Sequence, residues 1–261
     1  MWRRWLILAV LLTCARPAQG AITLHVHNHT DNGVTSSATC VVALTGVSSG
    51  DLITVEWTIS DGGGDTFSSV SGSLNGTYAS AITIKHDTNI GQFAGIHFVA
   101  NSASGNETIT VTGTVSAQFK ACSAQAWSGA ATSSPQDSGM TQQQTLTATA
   151  NPTTGGNLTP AGNGEVVIAS LLTANNTPTA GANYALTDVN AATFLWPEFW
   201  IQTTAAATNG PYTLSSDSWT DQMVAFKSSG GGGTVRPPSQ MTMGCCALAY
   251  SPDVDERKKI I

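Results

Sequence analysis

Hydrophobic and polar residues alternate along most of this chain at the two-residue period of β-strands. The clearest case begins at the small-residue turn Ser49-Gly50-Asp51. It places Ile53, Val55, Trp57 and Ile59 on one face of a strand, with Thr54, Glu56 and Thr58 on the other. That pattern predicts a half-buried strand with one solvated face. A second Gly-acid lead-in, Gly164-Glu165, opens the run Val166-Val167-Ile168-Ala169, and the echo predicts a sandwich of two related halves.

The remaining elements follow from the same period. Residues 22–29 alternate and close at Asp31-Asn32-Gly33, which carries turn chemistry. Cys40, Val42 and Leu44 share one face of a second strand. Further strands are predicted over 82–84, 93–99, 108–115 and 119–127. A polar loop, Ser128 to Thr141, separates the halves. Beyond it Leu146, Ala148 and Ala150 alternate, and Val166 to Leu172 is apolar on both faces, as in a central buried strand. An aromatic-rich run, Phe194 to Ile201, and a closing strand, Trp219 to Phe226, complete the pattern. No long stretch repeats at 3.6 residues with capping signals, so helix is minor. Roughly a dozen short strands joined by Gly, Asn and Ser turns predict an all-β chain. The expected architecture is a two-sheet antiparallel β-sandwich, jelly-roll-like, with a flexible C-terminal tail.

The two ends break the alternation. Arg3 and Arg4 precede an apolar run from Leu6 to Thr13, and Ala18-Gln19-Gly20 offers small residues for cleavage, so 1–20 is a predicted signal peptide. The apolar run is shorter than the ~20 residues that span a bilayer. Leu11-Leu12-Thr13-Cys14 faintly resembles a lipobox, against which stand the Thr before that Cys and the nearby Arg16. The β-sandwich domain is expected over 21–229, and residues 230–261 form a Gly-rich linker and poorly ordered tail. No later segment is apolar enough for a membrane span, so the expected location is secreted or cell surface.

Charge narrows the partners. Between residues 21 and 229 the basic side chains are Lys85, Lys120 and Lys227 alone, against nine Asp and four Glu. Such a surface repels phosphate, whose binding rests on Lys and Arg, and nucleic acid is excluded as an expected partner. Cys40, Cys122, Cys245 and Cys246 remain after cleavage, and their pairing is open. Cys40 and Cys122 read first as small buried hydrophobes in strands and second as a bridge.

Three landmarks carry a resemblance: Ser49-Gly50-Asp51-Leu52-Ile53, Trp127-Ser128-Gly129, and Trp219 with Met223-Val224-Ala225-Phe226-Lys227. Together they resemble a widespread group of predicted secreted bacterial β-sandwich domains with no assigned function. In that group the second landmark commonly reads Glu-Tyr-Ser-Gly, where this chain has Ala126-Trp127. The resemblance implies a β-sandwich in an exported protein and supplies no catalytic residues.

Candidate chemistry is sparse. His25, His27 and His29 recur at every second position, so they project from one strand face, and His-x-His is a metal-ligand spacing. His25 and His29 are about 13 Å apart along a straight strand, so a zinc site needs two of them plus His86, His97 or a carboxylate. Asp61-Gly62-Gly63-Gly64-Asp65 offers oxygens to calcium without the ligand spacing of an EF-hand, and a flexible loop is the plainer reading. Trp196, Glu198 and Trp200 alternate on one face, and Pro197 points to an edge strand or bulge. If exposed, that face is a sugar-stacking platform; if buried, it is core. Gly46-Val47-Ser48-Ser49-Gly50 matches a nucleophile elbow in letters only, because a strand follows it where the elbow needs a helix.

The leading expectation is a non-catalytic exported interaction module. Its ligand is a glycan at Trp196, Glu198 and Trp200, or another surface protein. The alternatives are a metal-dependent hydrolase using the His25, His27 and His29 strand, and a structural subunit of a surface assembly or virion.

Overall fold

The computed structural model describes residues 21–188 and 194–230. The expected signal peptide, 1–20, and nearly all of the expected C-terminal tail lie outside the described residues. Fifteen strands are described: β1 (Thr23–Asp31), β2 (Ser37–Val47), β3 (Leu52–Ser60), β4 (Phe67–Gly72), β5 (Gly76–Thr77), β6 (Ala79–Ser80), β7 (Lys85–Asp87), β8 (Gln92–Val99), β9 (Gly105–Ala117), β10 (Ala121–Ser128), β11 (Gln136–Thr149), β12 (Glu165–Thr173), β13 (Ala185–Leu186), β14 (Leu195–Gln202) and β15 (Asp217–Phe226). The one helical element among the described residues is a 3-10 turn at Gly62–Gly64.

The fold is all-β, antiparallel and sandwich-like, but it has three sheets where the alternation predicted two. A central sheet runs β1-β10-β3-β8-β6, with β7 also on β8; a front sheet runs β2-β9-β4-β5; a back sheet runs β11-β15-β12-β14-β13. From β1 to β10 the chain passes back and forth between the central and front sheets. The orders β1-β10-β3-β8 and β2-β9-β4-β5 are those of an eight-stranded jelly roll, closed within residues 23–128. The two halves are therefore not equivalent. The first is a complete jelly roll, and the second is an extra sheet laid on its central sheet.

This layering revises the reading of β3. All of Leu52 to Ile59 is buried, because both faces of the central sheet are covered. Ile53, Val55, Trp57 and Ile59 pack with Cys40, Val42, Leu44, Ile109 and Val111 against the front sheet. Leu52 faces the other way and packs with Ile96, Trp127, Val166, Ile168, Val224 and Phe226 between the central and back sheets. The Gly-acid echo therefore marks two of the strands that are covered on both faces, β3 and β12, as β10 and β15 also are. The outer face of the back sheet is roofed by loop residues Leu158, Tyr184, Tyr212 and Leu214 over Trp196, Trp219 and Met223.

Local departures from the predicted elements have physical causes. Residues 82–84 are not a strand: Ile82 is buried in the second core layer, and the Thr83 carbonyl accepts Gln222 Nε2–H of the back sheet at 3.2 Å. The segment read as a loop from 128 to 141 turns into β11 at Gln136, which pairs with Phe226. Phe119, expected in a strand, sits in a turn at φ 58°. Cys40 and Cys122 form a disulfide between β2 of the front sheet and β10 of the central sheet, with Cα atoms 6.2 Å apart. The reading of both as plain hydrophobes is corrected on that point, although both are also buried.

Candidate functional site

β1 is an edge strand of the central sheet, paired only with β10. Its register slips between Leu24 and Val26, so His25 sits in a bulge and the other two histidines lie in the regular ladder beyond it. His25 Nδ1 lies 2.8 Å from Asp51 Oδ2, which also accepts the Ser48 N–H at 3.0 Å. The Ser49-Gly50-Asp51 landmark is thus a turn whose acid is buried and whose Gly50 has φ 90°. His27 and His29 stand opposite Gln125 and Ser123 of β10. They turn toward Asp188, which follows β13 of the back sheet.

Asp188 is the node of the site. Its Oδ1 lies 3.1 Å from His27 Nδ1 and 2.9 Å from His29 Nδ1, and its Oδ2 accepts the Ser123 hydroxyl at 2.8 Å. A carboxylate oxygen only accepts, so both imidazoles meet Asp188 as Nδ1–H donors, and the Nε2 side of each ring is left to other partners. The histidine side chains are 44% and 40% exposed, while that of Asp188 is 6% exposed. Behind Asp188 runs a directed chain of bonds. Trp127 Nε1–H donates to Thr54 Oγ1 (3.1 Å), whose hydroxyl donates to Gln125 Oε1 (2.7 Å). Gln125 Nε2–H then donates to Ser123 Oγ (2.8 Å), which donates to Asp188. Each hydroxyl accepts one bond and passes on the next, which holds the whole chain in one orientation.

Glu56 lies alongside this chain, opposite Ser123 in the β3–β10 register. It is fully buried, and neither carboxyl oxygen has a hydrogen-bond partner within the protein. Burial pushes its carboxyl up to about 8, and the nearby Asp188 charge adds to the rise. At neutral pH Glu56 therefore carries its proton and offers one donor and one acceptor. The cluster is thus a half-exposed imidazole pair on one buried carboxylate, backed by a protonated acid and an amide–hydroxyl chain.

The residues expected to form sites fare differently. The three histidines are split, His25 to Asp51 and the other two to Asp188. His86 pairs with Asp61 at 3.0 Å, and His97 is buried against Trp57 in the front layer. Among the described residues no group of three or more His, Cys, Asp or Glu has an arrangement that holds a metal ion. Each of the three histidines is hydrogen-bonded to a carboxylate. The two carboxylates of the 61–65 loop diverge. Asp61 points to His86, whereas Asp65 turns inward and is buried against Lys120.

The face that carries Trp196, Glu198 and Trp200 is largely covered. Trp196 is 2% exposed, and its indole N–H donates to Thr173 Oγ1 at 3.0 Å. Glu198 is 1% exposed, accepts the Gly181 N–H at 3.0 Å, and is pushed up to about 8 by burial. Trp200 is half-buried, edge-to-face with Tyr184 at 5.8 Å. This face lies under the roofing loops, so it stacks on protein. Pro197 does sit near an edge, since only the two-residue β13 flanks β14.

Asp188, Ser123, Gln125 and Glu56 were not legible as a site. Asp188 is 159 residues from His29 and lies in an unremarked polar stretch, so only the docking of the back sheet brings the two together. No family model, curated protein or solved structure matches the chain.

Proposed function

We propose that this protein is an exported, non-catalytic interaction module whose contact point is the His27–His29–Asp188 rim, with hydroxyl groups of a glycan as its ligand. The observation that carries this reading is the pair of half-exposed imidazoles held through Nδ1 on a single buried carboxylate. Two imidazoles held on one carboxylate, each with its Nε2 side left over, suit sugar hydroxyls, which can both donate and accept a hydrogen bond. Catalysis fits the geometry less well. The Ser123 hydroxyl is spent on Asp188, and among the described residues no imidazole hydrogen-bonds to a hydroxyl that it could activate. The Cys40–Cys122 bridge supports export, because disulfides persist mainly in oxidising compartments.

A glycan array probed with the wild-type protein tests this. The expected result is binding to at least one glycan. That binding weakens by about tenfold or more in His27→Ala/His29→Ala, the scale of one or two lost hydrogen bonds. Trp200→Ala, on the roofed face, is expected to bind as wild type does. A blank array, or equal binding by the double histidine variant, would overturn the reading.

A further inference from the structure

We infer that Lys120 and Asp65 are the two ends of an intramolecular amide cross-link, formed by condensation of the Lys120 Nζ amine with the Asp65 Cγ carboxyl. Both side chains are completely buried and in direct contact. Asp65 immediately follows the Gly62–Gly64 turn, and Lys120 immediately precedes β10, so the link ties the β3–β4 connection to the central sheet. Each partner is held in place independently. The Lys120 backbone N–H donates to Asn32 Oδ1 at 2.6 Å, and Lys120 Nζ also lies 3.4 Å from the Val115 carbonyl. Gly113 leaves the space that Asp65 occupies, since a Cβ there would sit 2.5 Å from Oδ1 and 2.6 Å from Oδ2.

The two oxygens of Asp65 have different surroundings, and the difference matches the two roles that amide formation needs. Oδ1 accepts the Val115 N–H at 2.9 Å and the Thr114 hydroxyl at 3.3 Å. Oδ2 faces Lys120 Nζ. Burial pushes the Asp65 carboxyl up, but the bonds from Lys120, Val115 and Thr114 outweigh it and hold the group below the usual carboxylate range. The resting pair is therefore ionic. One proton passed from the ammonium to Oδ2 gives a neutral amine and a neutral acid, the form that a dry interior tolerates without charge. The nitrogen lone pair then adds to Cγ. The negative charge that develops on Oδ1 meets two donors already aimed at it, as in an oxyanion hole. A second proton moves from nitrogen to Oδ2, the Cγ–Oδ2 bond breaks, and water leaves. Nitrogen loses two protons and the carboxyl loses one oxygen, so the step balances with no oxidant, reductant or cofactor. With the site closed, little water is present for the reverse reaction.

The test is a peptide map of the purified, reduced wild-type protein. Trypsin cuts after free lysine, so the expected product is a branched peptide uncut at residue 120. It joins the Asp65 and Lys120 segments and is lighter than their sum by one water, about 18 Da. In Lys120→Arg the branched peptide is expected to vanish and cleavage at 120 to return. A linear wild-type peptide ending at Lys120, with Asp65 at full mass, would overturn the proposal. Loss of one water at Asp65 that survives in Lys120→Arg would also overturn it, because that is a cyclic imide and not a cross-link.

Discussion

The two faces of β3 meet two different interiors. Toward the front sheet, Ile53, Val55, Trp57 and Ile59 enter a mainly apolar layer bridged by Cys40–Cys122. Its buried polar side chains His97 and Glu107 are each hydrogen-bonded to an aromatic neighbour. Toward the back sheet, Leu52 enters an apolar patch, but Thr54, Glu56 and Thr58 enter a polar one. Thr58 bonds Gln92, Asp87 accepts from Thr220 of the back sheet at 2.9 Å, and Asp188 gathers His27, His29 and Ser123. The front layer closes the jelly roll on itself. The back layer joins the jelly roll to a later part of the chain, and there the interface is only partly hydrophobic. Stability and candidate recognition are thus divided between opposite faces of one strand.

Disrupting the front layer should have the largest effect. Trp57 is fully buried, stacks on Phe67 with ring centroids 4.4 Å apart, and donates its N–H to His97 Nδ1 at 2.9 Å. Trp57→Ala is expected to cost about 3–5 kcal/mol, combining lost burial with a cavity that a jelly roll cannot collapse. Urea denaturation measures it, and a cost under about 1 kcal/mol would mean that the front layer is not the stability core. The disulfide comes next. It closes a separation of 82 residues, and Cys40→Ala/Cys122→Ala is expected to lose about 2–4 kcal/mol by the same assay.

Buried acids on the two sides of the back sheet should show themselves through pH. Glu56 lies within the layer that the back sheet shares with the central sheet, and Glu165 and Glu198 lie on its roofed face. Burial pushes Glu56 and Glu198 up to about 8 and Glu165 to about 7, while it pushes His97 in the front layer down to about 4. For the three acids the folded state holds its protons more tightly than the unfolded chain, whose carboxyls titrate near 4.3. Stability from these groups is fully present below that value and is lost as pH rises toward 8. His97 acts in the opposite direction. The unfolded imidazole takes a proton near 6.5 and the folded one only near 4, so its contribution is lost as pH falls through that window. The expected Tm profile is highest at mildly acidic pH and falls toward about pH 8.5 as the acids outnumber the histidine. Glu56→Gln, which cannot ionise, should flatten part of that fall and leave the acid side unchanged. Calorimetry giving parallel curves for wild type and variant would show that Glu56 does not carry the charge penalty.

Period-two alternation made the strands legible, and the apolar run Val166 to Leu172 marked the fully buried β12. It could not say what covers a polar face. Thr54, Glu56 and Thr58 have the composition of a solvated face, and only the back sheet makes them interior. The face of Trp196, Glu198 and Trp200 could not be placed for the same reason, since the loops around Tyr184 and Tyr212 cover most of it. The disulfide was ambiguous because Cys40 and Cys122 satisfy an apolar pattern equally well as thiols. Asp188 had no local signal at all, because its partners are far away in the chain. Lys120 had a faint one: it is one of three cations in a long acidic body, which is a reason to ask what it faces.

The smallest stability effect should fall on the residues that matter most for the proposed function. His27 and His29 are half-exposed, and solvent screens their pairing with Asp188. His27→Ala/His29→Ala is therefore expected to change stability by no more than about 1 kcal/mol, while Asp188 keeps its bond from the buried Ser123 hydroxyl. Had the imidazoles been struts of the sheet-to-sheet junction, the same variant would unfold at clearly lower denaturant. The back sheet is held to the jelly roll by Ile168, Val224, Phe226 and Phe199 against Trp127 and Leu52, and Trp127 and Phe199 meet edge-to-face at 5.0 Å. That apolar half of the interface does the holding. A double variant that stays folded with lost glycan binding would place the two tasks on separate halves of one interface, as the two faces of β3 do for the molecule.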